Sequence, residues 1–391
     1  MSDIVVFLRS HFRYGDQIVA FPTLYQLAQW WPRKRLRVVS KYDVGSFYRD
    51  LPWVDEFVMA PDFRRQLASL PRHAMMSVNL HHTSERFGLI NLLRRPPLRM
   101  GYRHARLTDA VWTHHHVKDE SEYIGLSGLR MLSTYRPVDP ETAARQCFGA
   151  LAARRARPGA PADVVFIPGG GSGAFKRWDI GRYIALAACS SPRWGRTRDS
   201  PSCWGPTRRG SWSLLRALAR PDFRIEHCRT VPELAAMMLP ARLIVANDCG
   251  PSHIAQAAGV PYVGVFNEPN PEWFWRRDHA RDVVPDDGSD NIDSIVPHRV
   301  RDACLAALAA YRARPARQSA TSPHGAAPSV HERGRPFARG RRPSALARRA
   351  EGAQSLSASV RPRRYGARGC REGRGQGFQG YSACRLAAKF V

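Results

Sequence analysis

Asp248, Gly250 and His253 sit where two patterns meet in RLIVANDCGPSHIAQAAGVPYVGVF, residues 242–266. Leu243–Ala246 is a short apolar run with branched residues, as a buried parallel strand requires, and Asn247-Asp248-Cys249-Gly250-Pro251 breaks it with turn-forming types. Pro251 suits the first turn of a helix, Ile254, Ala255 and Ala258 give that helix an apolar face, and Gly259 followed by Pro261 ends it. Tyr262–Phe266 reads as the next strand. A strand feeding a helix N-terminus through a glycine turn offers unpaired backbone N–H groups and the positive end of a helix dipole, which favour a phosphate or pyrophosphate. Asp248 could then orient a ribose hydroxyl or the loop, and His253 could donate a hydrogen bond to a phosphate oxygen. Equally, Asp248 could cap the helix and His253 pack beneath it.

Two further groups have types suited to chemistry. PGGGSGAFKRW, residues 168–178, follows the apolar run Asp163–Ile167; its glycines let backbone approach a phosphate, and Lys176 brings a positive charge. Gly169, Gly171 and Ala174 meet the loose dinucleotide pattern GxGxxG/A, a weak signal without a later acidic residue, and Phe175-Lys176-Arg177 does not complete a P-loop. Asp16 follows the strand Ile4–Leu8 in RSHFRYGD, where Gly15 permits a turn and a carboxylate at a helix start meets the dipole. Facing a cleft, Asp16 could take a proton from an acceptor hydroxyl; otherwise it is an N-cap. His81-His82 and His114-His115-His116 invite a metal assignment, but adjacent histidines diverge on any regular element, so these read as solvated loops and no metal site is expected.

The elements that must position these residues alternate. Apolar strands at Ile4–Leu8, Leu36–Val39, Val54–Met59 and Met75–Leu80 are separated by helices over Gln17–Trp31, Asp43–Tyr48, Phe63–Leu70 and Glu85–Leu93, which is a βαβ series with a parallel sheet. Ligands bind such α/β sheets at the carboxyl ends of the strands, where Asp16 falls. The basic, Pro- and Gly-containing Ala152–Pro161 marks a linker. Beyond it come the strand Asp163–Ile167, a helix from about Asp179 that Trp178 packs onto the loop, a strand at Phe223–Glu226 and a helix over Val231–Met238. Residues 189–213, rich in Ser, Pro, Arg and Trp, have no period, where an apolar strand is expected. Either an irregular insertion or a reading-frame disturbance would damage the sheet there. Val296–Tyr311 has helical spacing, and the chain from Arg312 on is expected to be disordered. The domains are therefore 1–155 and 160–311, with a tail over 312–391.

Composition narrows the class. Of the formal charge of +27 over 391 residues, more than half sits in that tail, where 18 Arg and Lys face 3 Glu. The body is only moderately basic, as suits anionic substrates near a membrane surface. The tail could hold nucleic acid or another polyanion, but it lacks interleaved aromatics, so nucleic acid is not the expected partner. Eight scattered cysteines form no CxxC pair, which argues for reduced thiols in the cytoplasm. No run is long enough to span a membrane, and the N-terminal apolar run is too short for a signal peptide.

Three motifs in this order resemble glycosyltransferase family 9, which includes the ADP-heptose:lipopolysaccharide heptosyltransferases. They are Tyr14-Gly15-Asp16 after the first strand with Pro22 and Leu24, Pro168-Gly169 followed by Lys176-Arg177-Trp178, and Asn247 to His253 with Phe266 and Pro271 after it. The likeness covers roughly residues 3 to 310. It implies a GT-B architecture, two Rossmann-like domains facing across a cleft, with metal-independent, inverting transfer and no cofactor beyond the nucleotide-sugar, ADP-heptose. It implies Asp16 as the base, Gly171, Ser172 and Lys176 on the diphosphate, and Asp248, Cys249, Gly250 and His253 lining the donor site. The acceptor would be a lipopolysaccharide core or related glycan, met in the cytoplasm or peripherally at the inner membrane. This chain has His11-Phe12-Arg13 where the family has Ser-Ser-Leu, Cys249 for a frequent Thr, and Thr207-Arg208-Arg209 where an acid is common. An inactive relative is the remaining alternative.

Overall fold

The structure is a computed structural model that describes residues 3–9, 11–81, 85–104, 107–154, 162–170, 173–190, 202–204, 223–225 and 230–314. They fall in one compact unit. Twelve strands form two parallel six-stranded sheets. The first holds β1 (Asp3–Phe7), β2 (Arg35–Ser40), β3 (Glu56–Met59), β4 (Met76–Asn79), β5 (Leu98–Tyr102) and β6 (His114–His116) in the order β3-β2-β1-β4-β5-β6. The second holds β7 (Val164–Ile167), β8 (Ser202–Trp204), β9 (Phe223–Ile225), β10 (Leu243–Asn247), β11 (Tyr262–Val265) and β12 (Ala280–Val283) in the order β12-β11-β10-β7-β8-β9. Both have Rossmann order, so the strand order of each sheet reverses at one point, between β1 and β4 and between β7 and β10. The apolar runs dictate this. Val6 pairs with Val38 on one side and Val78 on the other, and Val245 lies between Phe166 and Val263. Strands buried on both faces tolerate only such residues.

The two halves share a core. Ile4, Val6 and Leu8 under the helix Phe21–Trp30 belong to the same buried cluster as Ile244 and Ala246 of the second sheet and Ile254 of the helix Gly250–Ala257. The helices Pro140–Ala152 and Val231–Met238 bridge them through Ala144, Phe148 and Leu151 with Leu234 and Ala235. The opposite face of the first sheet has its own cluster, in which Val5, Phe7 and Val39 meet Phe87 and Ile90.

Several expectations need correction. The helix expected over Gln17–Trp31 is two, Tyr14–Ile18 and Phe21–Trp30, because Pro22 has no N–H to donate to Ile18. Asp16 is not an N-cap: Arg13 holds that position without a side-chain bond, and Asp16 lies buried in the first turn. His114–His116 is not a solvated loop but the edge strand β6, paired with Met100–Tyr102. Within the irregular stretch 189–213, Ser202–Trp204 fills the gap between β7 and β9, and the helix Ile180–Ser190 reaches further than expected. The sheet is complete where damage was expected, since backbone ladders on both sides hold a strand whose side chains carry no pattern. Residues 155–161 and everything beyond 314, including the expected linker centre and tail, lie outside the described residues.

Candidate functional site

The carboxyl ends of β1 and β10 lie at the two sheet reversals, and the chain leaving each meets the other. A Cβ on Gly15 would come within 3.1 Å of His253 Nε2 and 3.5 Å of Gly250 Cα. One on Gly250 would meet Tyr14 Cδ1 at 2.5 Å and the backbone nitrogen of Gly15 at 3.2 Å. Glycine at both positions is what lets the two helix starts touch. Asp16 is thereby fixed beside residues 247–253, with only 8% of its surface exposed.

Charges around Asp16 come from both halves. Arg9 Nη1 stands 3.7 Å from the Asp16 carboxylate, and Arg9 Nη2 stands 4.0 Å from Glu272 of the turn Pro271–Trp273. Lys118 Nζ donates to the same Glu272 oxygen at 2.6 Å, and the Arg9 guanidinium lies 5.9 Å from the centre of the Trp273 ring. Burial raises the Asp16 pKa above the usual carboxylate value, opposed by Arg9, then by His11 and Arg13. An upward-shifted carboxyl is of the kind that can take up a proton where a substrate reaches it.

His253 is buried, and its Nδ1 is hydrogen-bonded to the Tyr123 hydroxyl at 3.0 Å. Tyr123 in turn stacks on Trp275, ring centres 5.6 Å apart at 11°. Burial lowers the His253 pKa to about 4, so the ring is neutral at pH 7 and has one nitrogen committed to Tyr123. Asp248 does not cap the helix Gly250–Ala257, whose N-cap is Cys249 without a side-chain bond; Asp248 pairs with Lys176 instead. Burial pushes the Cys249 thiol up to about 12, which keeps it neutral.

The loop under Lys176 is braced from three sides. Arg177 Nε donates to Gly170 O at 2.9 Å, Asn247 Nδ2 donates to Pro168 O at 2.8 Å, and Tyr183 donates to Asn247 Oδ1 at 2.7 Å. Trp178 is buried, as the sequence suggested, and its Nε1 donates to Ile295 O at 2.8 Å. Gly171 and Ser172 lie outside the described residues. Thus Asp16, Gly250 and His253 share one junction, and Lys176 and Asp248 pair beside it. Among the described residues no three His, Cys, Asp or Glu side chains gather in a metal-holding set.

Arg9, Lys118, Tyr123 and Glu272 were not singled out from the sequence. Arg9 had a local signal, a charge at the end of a buried strand. Tyr123 had none, since its partner lies 130 residues away.

Known proteins bear on this geometry as follows. Residues 101–276 match the model of glycosyltransferase family 9 (heptosyltransferase). No curated protein sequence matches the chain. Among solved structures, a glycosyl transferase family 9 protein from Veillonella parvula is 17% identical over 79% of this chain and 97% of its own, with a TM-score of 0.53. The E. coli ADP-heptose lps heptosyltransferase II is 18% identical over 80% of this chain and all of its own, with a TM-score of 0.51. E. coli heptosyltransferase WaaC with ADP-2-deoxy-2-fluoro heptose is 12% identical over 76% and 98%, with a TM-score of 0.55. At these identities the likeness speaks for the fold. Residues 101–276 are therefore similar to glycosyltransferase family 9 (heptosyltransferase), in a chain whose described residues take the GT-B fold seen in the heptosyltransferase structures.

Proposed function

We propose that this glycosyltransferase moves heptose from ADP-heptose onto a lipopolysaccharide core or related glycan, inverting the anomeric centre without a metal ion. The single observation that carries the reading is the junction itself: a buried carboxylate, Asp16, on the segment whose Gly15 lies against His253 and whose Tyr14 lies against Gly250. The donor's diphosphate would take Lys176 from Asp248 and lie at the N-terminus of the helix Gly250–Ala257, where backbone N–H groups and the dipole favour negative charge. Asp16 would accept the acceptor hydroxyl's proton as that oxygen forms its bond to the anomeric carbon and the bond to the nucleoside diphosphate breaks. The negative charge growing on the leaving diphosphate is what Lys176 and the helix start stabilise.

The donor assignment draws on two structural neighbours, the E. coli ADP-heptose lps heptosyltransferase II and the heptosyltransferase WaaC with ADP-2-deoxy-2-fluoro heptose. No helix among the described residues is long and apolar enough to cross a membrane; the proposal has a lipid-linked acceptor met by peripheral contact. The Asp16→Asn variant tests the base. It keeps the shape but cannot take the proton, so turnover should fall by about 10²–10⁴ while ADP affinity, measured by calorimetry, stays within about twofold. Turnover within about tenfold of the unaltered enzyme would remove Asp16 from the role.

A further inference from the structure

The helix Arg86–Arg94 is apolar on two sides. Inward, Phe87 and Ile90 pack on Val5, Phe7 and Val39, and Asn91 Nδ2 satisfies itself on Phe87 O at 2.8 Å. Outward, Leu89, Leu92 and Leu93 are 43%, 49% and 53% exposed, at the i, i+3, i+4 spacing that makes one stripe. Leu107, 98% exposed, adds to it on the turn Leu107–Val111, whose Thr108 packs against Gly88. A helix apolar all round belongs inside a protein or against something else apolar.

Its surroundings are basic. Arg86 and Arg95 are exposed at the two ends of the leucine stripe, with Arg94 half-buried beside them. Arg94 Nε donates to Leu67 O at 3.1 Å, which fixes the neighbouring helix Phe63–Ser69 with its exposed Arg64 and Arg65. The acids nearby are Glu85 at the helix start, Asp62, 3.7 Å from Arg65, and Asp109, which accepts from the His104 backbone. Arginine outnumbers acid around the stripe. The N-terminal end of the helix also lies near the candidate site: the His81 ring, just past β4, is 5.6 Å from Phe87, and Arg9 and His11 as well as Arg86 act on its charge.

We propose that this face docks on an anionic lipid bilayer, with Leu89, Leu92, Leu93 and Leu107 entering the headgroup boundary and the flanking arginines meeting lipid phosphates. The chemistry is that of an interfacial amphipathic helix, in which buried apolar area and attraction to anionic lipid add. Charge excludes the competing occupants. A second copy would set arginine against arginine, and the Arg-rich tail would do the same. Docking there brings the Asp16 side of the cleft close to the membrane surface whatever sugar is transferred.

The test is co-sedimentation of the full chain with phosphatidylcholine vesicles and with phosphatidylcholine and phosphatidylglycerol at about 7:3, in low salt and in about 0.5 M NaCl, where exposed charges are screened. The mixed vesicles should capture the chain at both salts and phosphatidylcholine alone only weakly. L89Q/L92Q/L93Q should cut the high-salt partition coefficient by a factor of at least about 30, whereas R86Q/R95Q should cut the low-salt preference for anionic lipid several-fold. Near-ultraviolet circular dichroism checks the fold. If the triple variant does not fold, Leu93→Gln alone should still lower high-salt partitioning several-fold. Partitioning unchanged by the leucine substitutions would assign binding to the tail and overturn the proposal. So would absence of the chain from mixed vesicles, or a dimer in lipid-free sedimentation velocity that the triple variant dissolves.

Discussion

Acidification should unfold this protein partly through one ring. His253 is 3% exposed and its pKa falls from an ordinary 6.5 to about 4, because burial disfavours the charged form more than Asp248 favours it. Between those values the unfolded chain holds a proton on this residue that the folded chain does not. Stability therefore rises with pH through the window and is lost as pH falls from 6.5 toward 4. Worked through the two pKa values, the loss from His253 alone between pH 7 and pH 5 is about 2 kcal/mol, a large part of a typical folding free energy. Urea unfolding of the unaltered chain and of His253→Gln at pH 7, 6 and 5 isolates the term. Gln cannot titrate, so the variant, less stable at pH 7 for want of the Tyr123 bond, should close the gap by about 2 kcal/mol at pH 5. A gap that stays constant with pH would refute the account of a neutral buried ring. His81 and His279, also lowered to about 4 by burial, add loss of the same sign to both proteins and cancel from the difference.

Lys176→Ala removes the cation paired with Asp248 and should weaken ADP binding by about tenfold, read as a smaller thermal shift on adding ADP. An unchanged shift would take Lys176 off the phosphates. Gly250→Ala sets a methyl 2.5 Å from Tyr14 Cδ1 and 3.2 Å from a backbone nitrogen, whereas Gly15→Ala meets side-chain atoms of His253 at 3.1 and 3.2 Å and backbone only at 3.5 Å, an ordinary contact. The first should lower the unfolding free energy by about 1–3 kcal/mol and the second by less, with urea midpoints as the check; the reverse order would mean that the halves are not in contact there.

How much of this was legible depended on burial. Strands enclosed on both faces, such as Ile4–Phe7 and Leu243–Asn247, must be apolar runs, and these stood out from the sequence alone. β5 did not, because Arg99 interrupts LRMGY; its guanidinium turns aside to the Val111 and Pro96 carbonyls at 2.7 and 2.6 Å. The helix Ile124–Ser133 hid behind Gly125 and Gly128, poor helix formers kept because a Cβ would strike Tyr123 at 2.4 Å and Thr23 at 2.3 Å. In the site, Asp16, Lys176, Asp248 and His253 could be named because each lies in a segment with turn chemistry that follows an apolar strand. Their partners could not, since Tyr123 and Glu272 come from elements with no local mark.

The junction also explains why its glycines and its charges belong to one device. If Asp16 and the donor-side helix were related only through a linker, their separation would follow every motion of the two halves. Instead Gly15 rests on His253, Gly250 rests on Tyr14, and Tyr123 from the first half holds the far side of the same imidazole. Arg9 and Lys118 reach from the first half to Glu272 in the second, so the contact is apolar at its centre and ionic at its edge. The proposed reaction between an acceptor hydroxyl on one side and a sugar on the other would demand placement to within a fraction of an ångström. Direct packing of backbone on ring supplies that tolerance, and a neutral His253 is what allows the packing, because a charged imidazole could not remain buried between the halves.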